Sequence, residues 1–363
     1  MATSQQVPTP AMREPAGVGD PPFAMRVLDD LAGAMAGYMC AFGDRLGLFA
    51  MLAHKGPCTP AELAAHSGLD ERYARDWLGC LASRGYLTRD DGRYALPPEH
   101  AVTLAAEGTP MFMGGAFDQL TGIVGPFAQL ADAARSGSGV PAAAYGADMH
   151  RGMERMSAAW FENLLVPVWL AALPDAQRRL HTGGDVADVG CGAGRAVIAL
   201  AEAFPRSRFH GFDVFAPSLD RARARAAAAG VTGRVTFEHH DAVRGLPGRY
   251  DLVTLFDVLH DIAQPVDVLA GIRDALKPEG AVLLVEMNGA DRHEDNTGPI
   301  ATILLATSVL YCLPTSIAAG ADGLGTLGLP EPRVREFSQR AGFSSARRLP
   351  VDTPFNALYE LRP

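Results

Sequence analysis

The sequence predicts an α/β protein. A parallel sheet wrapped by helices on both faces follows a smaller helical unit arranged as a winged helix. Three observations carry this. Beyond Gly184, short runs rich in Val, Leu and Phe alternate with longer helical stretches, the pattern of a sheet with crossover helices. The first of those runs ends in a turn with glycine at alternate positions, Gly190, Gly192 and Gly194, leading straight into a helix. Between Thr59 and Leu96 the order is helix, turn, helix, hairpin.

Taken in order, residues 1–22 hold five prolines and few large apolar side chains, too few to offset the entropy of ordering, and are expected to be a tail. From Phe23, Met25, Leu28, Leu31 and Met35 recur at helical spacing, and Ala41 to Ala53 predicts a second apolar helix. Thr59-Pro60-Ala61-Glu62 is a capping-box start for a short helix to His66, and Asp70 caps a third helix to about Arg84. Tyr86 to Thr88 and Arg93 to Leu96 are expected strands around Asp90-Asp91-Gly92. Arg72, Arg75 and Arg84 are balanced by Asp70, Glu71 and Asp76, so this winged-helix-like unit (residues 23–105) is read as a dimerisation or packing module, not a DNA reader. Residues 106–183 are helical, interrupted at Ser136-Gly137-Ser138-Gly139. Their stripe Met153, Met156, Trp160, Phe161, Leu164, Leu165, Val168 and Trp169 serves core packing or lines a substrate pocket.

Residues 184–363 form the α/β domain. Val186 to Val189, Arg208 to Phe212, Val235 to Glu238, Asp251 to Phe256 and Ala281 to Glu286 are its expected strands; Arg195 to Ala203, Leu219 to Ala229 and Val266 to Leu276 are its expected helices. Ligands on such sheets bind beyond the carboxyl ends of the strands.

The chain has 363 residues and a formal charge of −9, a poor match to the nucleic-acid backbone. Polar or glycine breaks are expected to interrupt every apolar run of spanning length, about 18 residues, so no membrane partner is expected. No basic, then apolar, leader opens the sequence, and the five cysteines form no C-x-x-C pair. Both suit free thiols in the cytoplasm and exclude a clustered-cysteine metal centre. His239, His240 and His293 have no ligand-like spacing, and no metal is expected.

The chemistry gathers at the strand ends. Asp188-Val189-Gly190-Cys191-Gly192-Ala193-Gly194 lets a ligand lie against bare backbone, but Arg195 fills the place where a dinucleotide fingerprint needs a small residue. Asp213, 25 residues after Asp188, can accept hydrogen bonds from both hydroxyls of a ribose. Asp241 can take an adenine amino group beside Ala242, a small residue that admits the ring. Arg221, Arg223 and Arg225 are read as a solvated helix face.

These residues resemble the class I S-adenosylmethionine-dependent methyltransferases, and within them a bacterial, chiefly actinobacterial, winged-helix family. The match rests on Phe42-Gly43-Asp44-Arg45-Leu46-Gly47-Leu48, Arg72-Tyr73, Ala187 to Gly192, Phe256-Asp257, Leu259-His260-Asp261, Asp295-Asn296 and Thr353-Pro354-Phe355-Asn356. It extends from about Phe23 to Pro363. The resemblance implies a Rossmann-like, seven-stranded sheet whose last strand, Asn356 to Leu361, is antiparallel. It implies S-adenosylmethionine as cofactor (product S-adenosylhomocysteine), held by Asp188, Gly190, Gly192, Gly194, Asp213, Val214, Asp241, Ala242 and Phe256. It also implies a homodimer.

Leu259-His260-Asp261 further resembles the catalytic segment of small-molecule O-methyltransferases, which implies His260 as the base that deprotonates an acceptor hydroxyl. Asp257 or Asp261 can orient its ring. The chain departs from that pattern at Ile262-Ala263-Gln264, where those enzymes carry tryptophan and further polar residues. Trp160, Asp257, Glu286, Asn296 and Cys312 are the candidates for touching the acceptor. Alternatives are methyl transfer to nitrogen, sulfur or carbon by proximity alone, a non-catalytic regulator that binds the same cofactor, and a nicotinamide oxidoreductase, which Arg195 argues against.

Overall fold

The computed structural model describes residues 22–351, 353 and 355–363. Apart from Pro22, the expected tail lies outside them. Phe23–Arg45 is one helix, and the turn at Leu46-Gly47 separates it from Leu48–Lys55. The helix expected over Ala41 to Ala53 is therefore two pieces, because the left-handed backbone of Gly47 makes the break there. Gly43 lies where a Cβ would stand 2.4 Å from the Trp77 ring, so only glycine lets the first helix close on Glu71–Ser83. Leu48, Phe49, Leu52, Trp77, Leu78 and Leu81 form the core of this unit.

The Thr59 hydroxyl accepts from the Glu62 N–H at 3.3 Å while Glu62 Oε2 accepts from the Thr59 N–H at 2.8 Å, starting Pro60–Ser67 as expected. Asp70 caps Glu71–Ser83 through the Arg72 N–H at 2.9 Å. The wing pairs β1 (Thr88–Asp90) with β2 (Arg93–Ala95), its first strand two residues later than expected because Tyr86 and Leu87 still turn the chain off the helix. Arg72, Arg75, Arg84 and Arg93 pair with Asp70, Asp76, Asp29 and Glu62, so these four arginines are engaged within the unit.

Ala147–Trp160 continues into a π-helical stretch, Phe161–Trp169, that contains Pro167. The wider π winding displaces a stripe drawn at the α-helical period. Leu165 and Trp169 are buried, whereas Met153 and Val168 stand exposed, so the expected single apolar face does not hold.

The domain that follows comprises β3 (Asp185–Val189), β4 (Arg208–Asp213), β5 (Val235–His239), β6 (Tyr250–Phe256), β7 (Leu276–Met287), β8 (Ser345–Arg348) and β9 (Asn356–Arg362). They form one sheet in the order β5-β4-β3-β6-β7-β9-β8. β9 is antiparallel to both neighbours, as expected of the last strand, and the other pairings are parallel. Alternation sorts the side chains. Val186, Leu252, Leu283 and Val285 pack with Trp169, Leu170 and Leu180 on one face. Ala187, Val253, Leu255 and Leu284 pack with Val268, Leu269 and Val334 on the other. β8 was not expected, since Ser-Ala-Arg-Arg carries no apolar alternation and lies at an edge.

Gly298–Ala318 is a continuous 21-residue helix without a charged residue, long and apolar enough by length and composition to cross a membrane. This corrects the expectation that polar breaks interrupt every such run: Thr302 and Ser308 do not stop a helix in which their hydroxyls bond within the chain. Its Tyr311 and Cys312 pack against Ile123, Leu130, Val140, Tyr145 and Met149. The helix thereby joins residues 114–160 in one wall.

Thr59→Ala removes one half of the capping box and is expected to lower unfolding free energy by about 1 kcal/mol in urea titrations; an unchanged midpoint would show the cap contributes nothing.

Candidate active site

The glycine turn is built by backbone conformation. Gly190, Gly192 and Gly194 all have positive φ, 71°, 51° and 75°. A Cβ on Gly190 would stand 2.5 Å from Val258, and one on Gly194 2.5 Å from Phe237, so packing demands both glycines. A Cβ on Gly192 meets nothing within 4 Å. That opening lies at the strand ends, where a ligand can approach bare backbone. Asp213 stands beside it, one oxygen accepting from the Gly192 N–H at 2.8 Å and the other from the Phe215 N–H at 2.7 Å. The opening and the carboxylate suit the adenosyl group of S-adenosylmethionine.

Asp188 lies beneath the turn, buried, with Thr254 donating to its Oδ1 at 2.6 Å. Burial pushes its carboxyl up to about 7; the Thr254 hydrogen bond opposes this and the nearby Asp213 charge adds to it. Asp241 caps the turn Ala242–Arg244 by accepting from the Val243 N–H, Ala242 is buried and Val214 is exposed. The Phe256 ring packs on Phe161 and Trp169, which places its side chain in the aromatic core and leaves its backbone at the strand end.

The second half of the site is a buried charged cluster. Glu286, near the end of β7, is fully buried. Its Oε1 accepts from the Leu259 N–H at 2.8 Å, and its Oε2 lies 2.6 Å from His260 Nδ1. The carboxylate thus fixes both the backbone and the ring of the short turn after β6. Ring nitrogen Nε2 is 3.6 Å from Asp261 Oδ1, and His260, Asp261 and Cys312 bring ligand-type atoms within 4.8 Å of one another. Burial alone would lower the His260 pKa. The Asp261 and Glu286 carboxylates outweigh it, with hydrogen bonds to Cys312 and Glu286, and hold the ring well above the usual histidine range. Asp257 has φ 51°, a left-handed conformation costly for a non-glycine residue. Both its oxygens accept from Asn356 Nδ2 at 3.1 Å. Burial and then the Glu286 charge push it up to about 8, although His260 and Asn356 act the other way.

The structure therefore brings Asp257, His260, Glu286 and Cys312 together. It does not bring Asn296 to them. Asn296 Oδ1 accepts from the Ala290 N–H and its amide donates to the Arg292 and His293 carbonyls, closing its own loop. Trp160 stacks on Phe355 at 6.1 Å. Arg221 and Arg225 are not a merely solvated face. With Arg195 they converge on Glu154, which clamps Ala147–Trp160 over the glycine turn. Nearby, His150 stacks on Phe215. Sequence reasoning passed over Thr254 and Thr326 altogether. Asn356 figured only within a family motif, and its role as partner of Asp257 is a long-range contact without a local signal.

Residues 187–282 match a family described as "Methyltransferase domain", and residues 34–106 match the "Rv2258c-like winged HTH domain". Acetylserotonin O-methyltransferase of Mus musculus is 30% identical over 359 residues, covering 93% of this chain and 88% of the mouse enzyme. Among solved structures, PigF with SAH superimposes at TM-score 0.69 with 21% identity, covering 93% of this chain and 99% of PigF. CalO1, a methyltransferase in calicheamicin biosynthesis in its SAH-bound form, does so at 0.66 with 22% identity, covering 94% and 98%. Fold and sequence together define a class I methyltransferase with S-adenosylmethionine as cofactor. The chain belongs to the O-methyltransferase family that includes the mouse acetylserotonin enzyme.

The raised carboxyls set a pH dependence for the ligand-free protein. Asp188 and Asp257 titrate near 7 and 8 when folded, against about 3.9 unfolded. The native state then binds more protons between those values. Their stabilising contribution is complete below the unfolded pKa and is lost as pH rises through 7 and 8, and His260, also raised, acts in the same direction. Melting temperature is expected to fall between pH 5 and 8.5, and Asp188→Asn to flatten part of that slope. A wild-type profile that rises over this range would contradict the assignment.

Proposed function

We propose that this methyltransferase methylates a hydroxyl group of a small-molecule acceptor, with His260 as general base. The observation that carries the reading is the fully buried Glu286 carboxylate on His260 Nδ1, which leaves Nε2 as the nitrogen that takes the proton when the ring is neutral; because Glu286 and Asp261 favour the protonated ring, turnover is expected to rise with pH. The O-methyltransferase names of its relatives support the same acceptor chemistry.

S-adenosylmethionine supplies an electrophilic methyl on a sulfonium, and attack in line with that carbon needs an acceptor oxygen held close and losing its proton. In this reading Asp213 holds the ribose hydroxyls, Asp241 and Ala242 border the adenine, and the Gly190–Gly194 turn lets the ligand approach. Asp188, through Thr254, and Glu154, through its three arginines, shape that turn and need not touch the cofactor. His260 accepts the hydroxyl proton at Nε2, and Glu286 stabilises the imidazolium that results. Trp160 and Cys312 border the acceptor, and Asp257 is a positioning residue held by Asn356.

The acceptor is a small molecule and not a nucleic acid: Arg72, Arg75, Arg84 and Arg93 of the winged-helix unit are already paired with acids. All five cysteines are unpaired, which supports a reducing, cytoplasmic setting. Phe23, Met25, Leu28, Leu31 and Met35 stand exposed along the first helix, an apolar surface that suits a homodimer.

His260→Ala is expected to keep S-adenosylhomocysteine affinity in calorimetry while turnover falls about 10²–10⁴-fold. Normal turnover would mean that positioning alone drives transfer to an acceptor already nucleophilic. Asp213→Ala, in contrast, is expected to weaken S-adenosylhomocysteine binding by at least about tenfold, from lost charge-assisted hydrogen bonds. Sedimentation of the full chain is expected to give a dimer mass; a monodisperse monomer refutes that assembly.

A further inference from the structure

We propose that His260, Asp261 and Cys312 form a binding site for a divalent cation of zinc type. The three residues bring one nitrogen, one oxygen and one sulfur within 4.8 Å of one another, with Nε2 3.6 Å from Asp261 Oδ1. Tetrahedral zinc, with bonds of about 2.0–2.3 Å, spaces its ligand atoms about 3.3–3.8 Å apart, so ångström-scale side-chain shifts suffice to close the set. A mixed nitrogen, sulfur and carboxylate set selects zinc over magnesium or calcium, which take oxygen.

Three further features belong to a metal site. Asp261 Oδ1 is buried and, apart from the 3.6 Å charge contact with His260 Nε2, has no hydrogen-bond partner among the described residues, although a buried carboxylate oxygen costs free energy unless something satisfies it. Glu286 on Nδ1 fixes the ring so that Nε2 faces Asp261, the carboxylate–histidine arrangement that orients metal-bound imidazoles. Thr326 donates its hydroxyl proton to Cys312 Sγ at 2.9 Å, a contact that stabilises a thiolate. The turn after β6 supplies His260 and Asp261. The helix Gly298–Ala318 supplies Cys312, so the site joins the sheet to the wall above it.

Three protein ligands leave a fourth position for water or for an acceptor atom. As the metal–sulfur and metal–nitrogen bonds form, the Cys312 thiol proton and the proton that the raised His260 ring carries on Nε2 pass to solvent. The cation then holds the Nε2 lone pair that an acceptor proton would need. Zinc in the site therefore inhibits turnover reversibly and leaves the adenosyl half of the cleft unaltered. Binding of the cation is independent of the role of His260 in turnover; only the inhibition rests on the general-base reading.

The test uses the full chain, stripped with a chelator and titrated with Zn2+ against a chromophoric competitor, and with Co2+ as a spectroscopic probe. One equivalent is expected to bind. The Co2+ adduct is expected to show tetrahedral visible bands and a near-ultraviolet thiolate-to-metal charge-transfer band. Cys312→Ala abolishes that band, Asp261→Asn weakens Zn2+ binding at least about tenfold, and Glu286→Gln weakens it about 10–100-fold. S-adenosylhomocysteine affinity, measured for each variant, certifies its fold. Zn2+ affinity unchanged in Cys312→Ala and Asp261→Asn, or a Co2+ spectrum without sulfur ligation, overturns the site. Full turnover with one zinc bound upholds the site and contradicts the general-base reading instead.

Discussion

The constraint on which the site depends is the burial of Glu286. A carboxylate with no access to water costs several kcal/mol unless its oxygens are paired. Glu286 meets that demand with two donors from one short turn, the Leu259 N–H and His260 Nδ1. Satisfying the acid fixes the turn. The pairing of β6 with β7 brings Glu286 level with the end of β6, and the Asp257 N–H bonds to the Val285 carbonyl. Asp257 then turns through a left-handed conformation that Asn356, at the start of β9, holds by both carboxylate oxygens. Three strands thus converge on one imidazole.

The helical half of the chain supplies a roof in the same physical terms. Arg155 joins Asp44 of the first helix to Asp118, and Arg151 adds a second bond to Asp118. The buried Asp118 carboxyl is destabilised by burial and more than compensated by the two guanidiniums. Next to Arg155 in the chain and pointing off another side of the helix, Glu154 reaches Arg195, Arg221 and Arg225. Ala147–Trp160 therefore bridges the winged-helix unit and the glycine turn. Asp44 belongs to the Phe42 to Leu48 motif, and this network gives that motif a structural reason.

What the sequence made legible follows from how local each cause is. The glycine turn and Asp213 could be read because backbone conformation and a strand-end position demand those residue types within a few positions. The capping box at Thr59 was legible for the same reason. Glu286 could be recognised only as an acid at a strand end; its grip on His260, 26 positions earlier, needs the register of β6 against β7. Cys312 could be named as a candidate, but its approach to His260 and Asp261 depends on how its helix packs, and Asn356 meets Asp257 across 99 positions. Asn296 closes its own loop through Ala290, Arg292 and His293, a set of contacts that its position in an insertion does not signal. The strand β8 escaped because an exposed edge strand needs no apolar alternation.

The most direct measurement is a crystal structure of the chain with S-adenosylhomocysteine. The account predicts the ribose hydroxyls on Asp213, the adenine beside Ala242, and the sulfur facing His260 Nε2 across space for one acceptor group. An adenosyl group seated elsewhere, or a sulfur turned away from His260 with Glu286 still holding the ring, would contradict it.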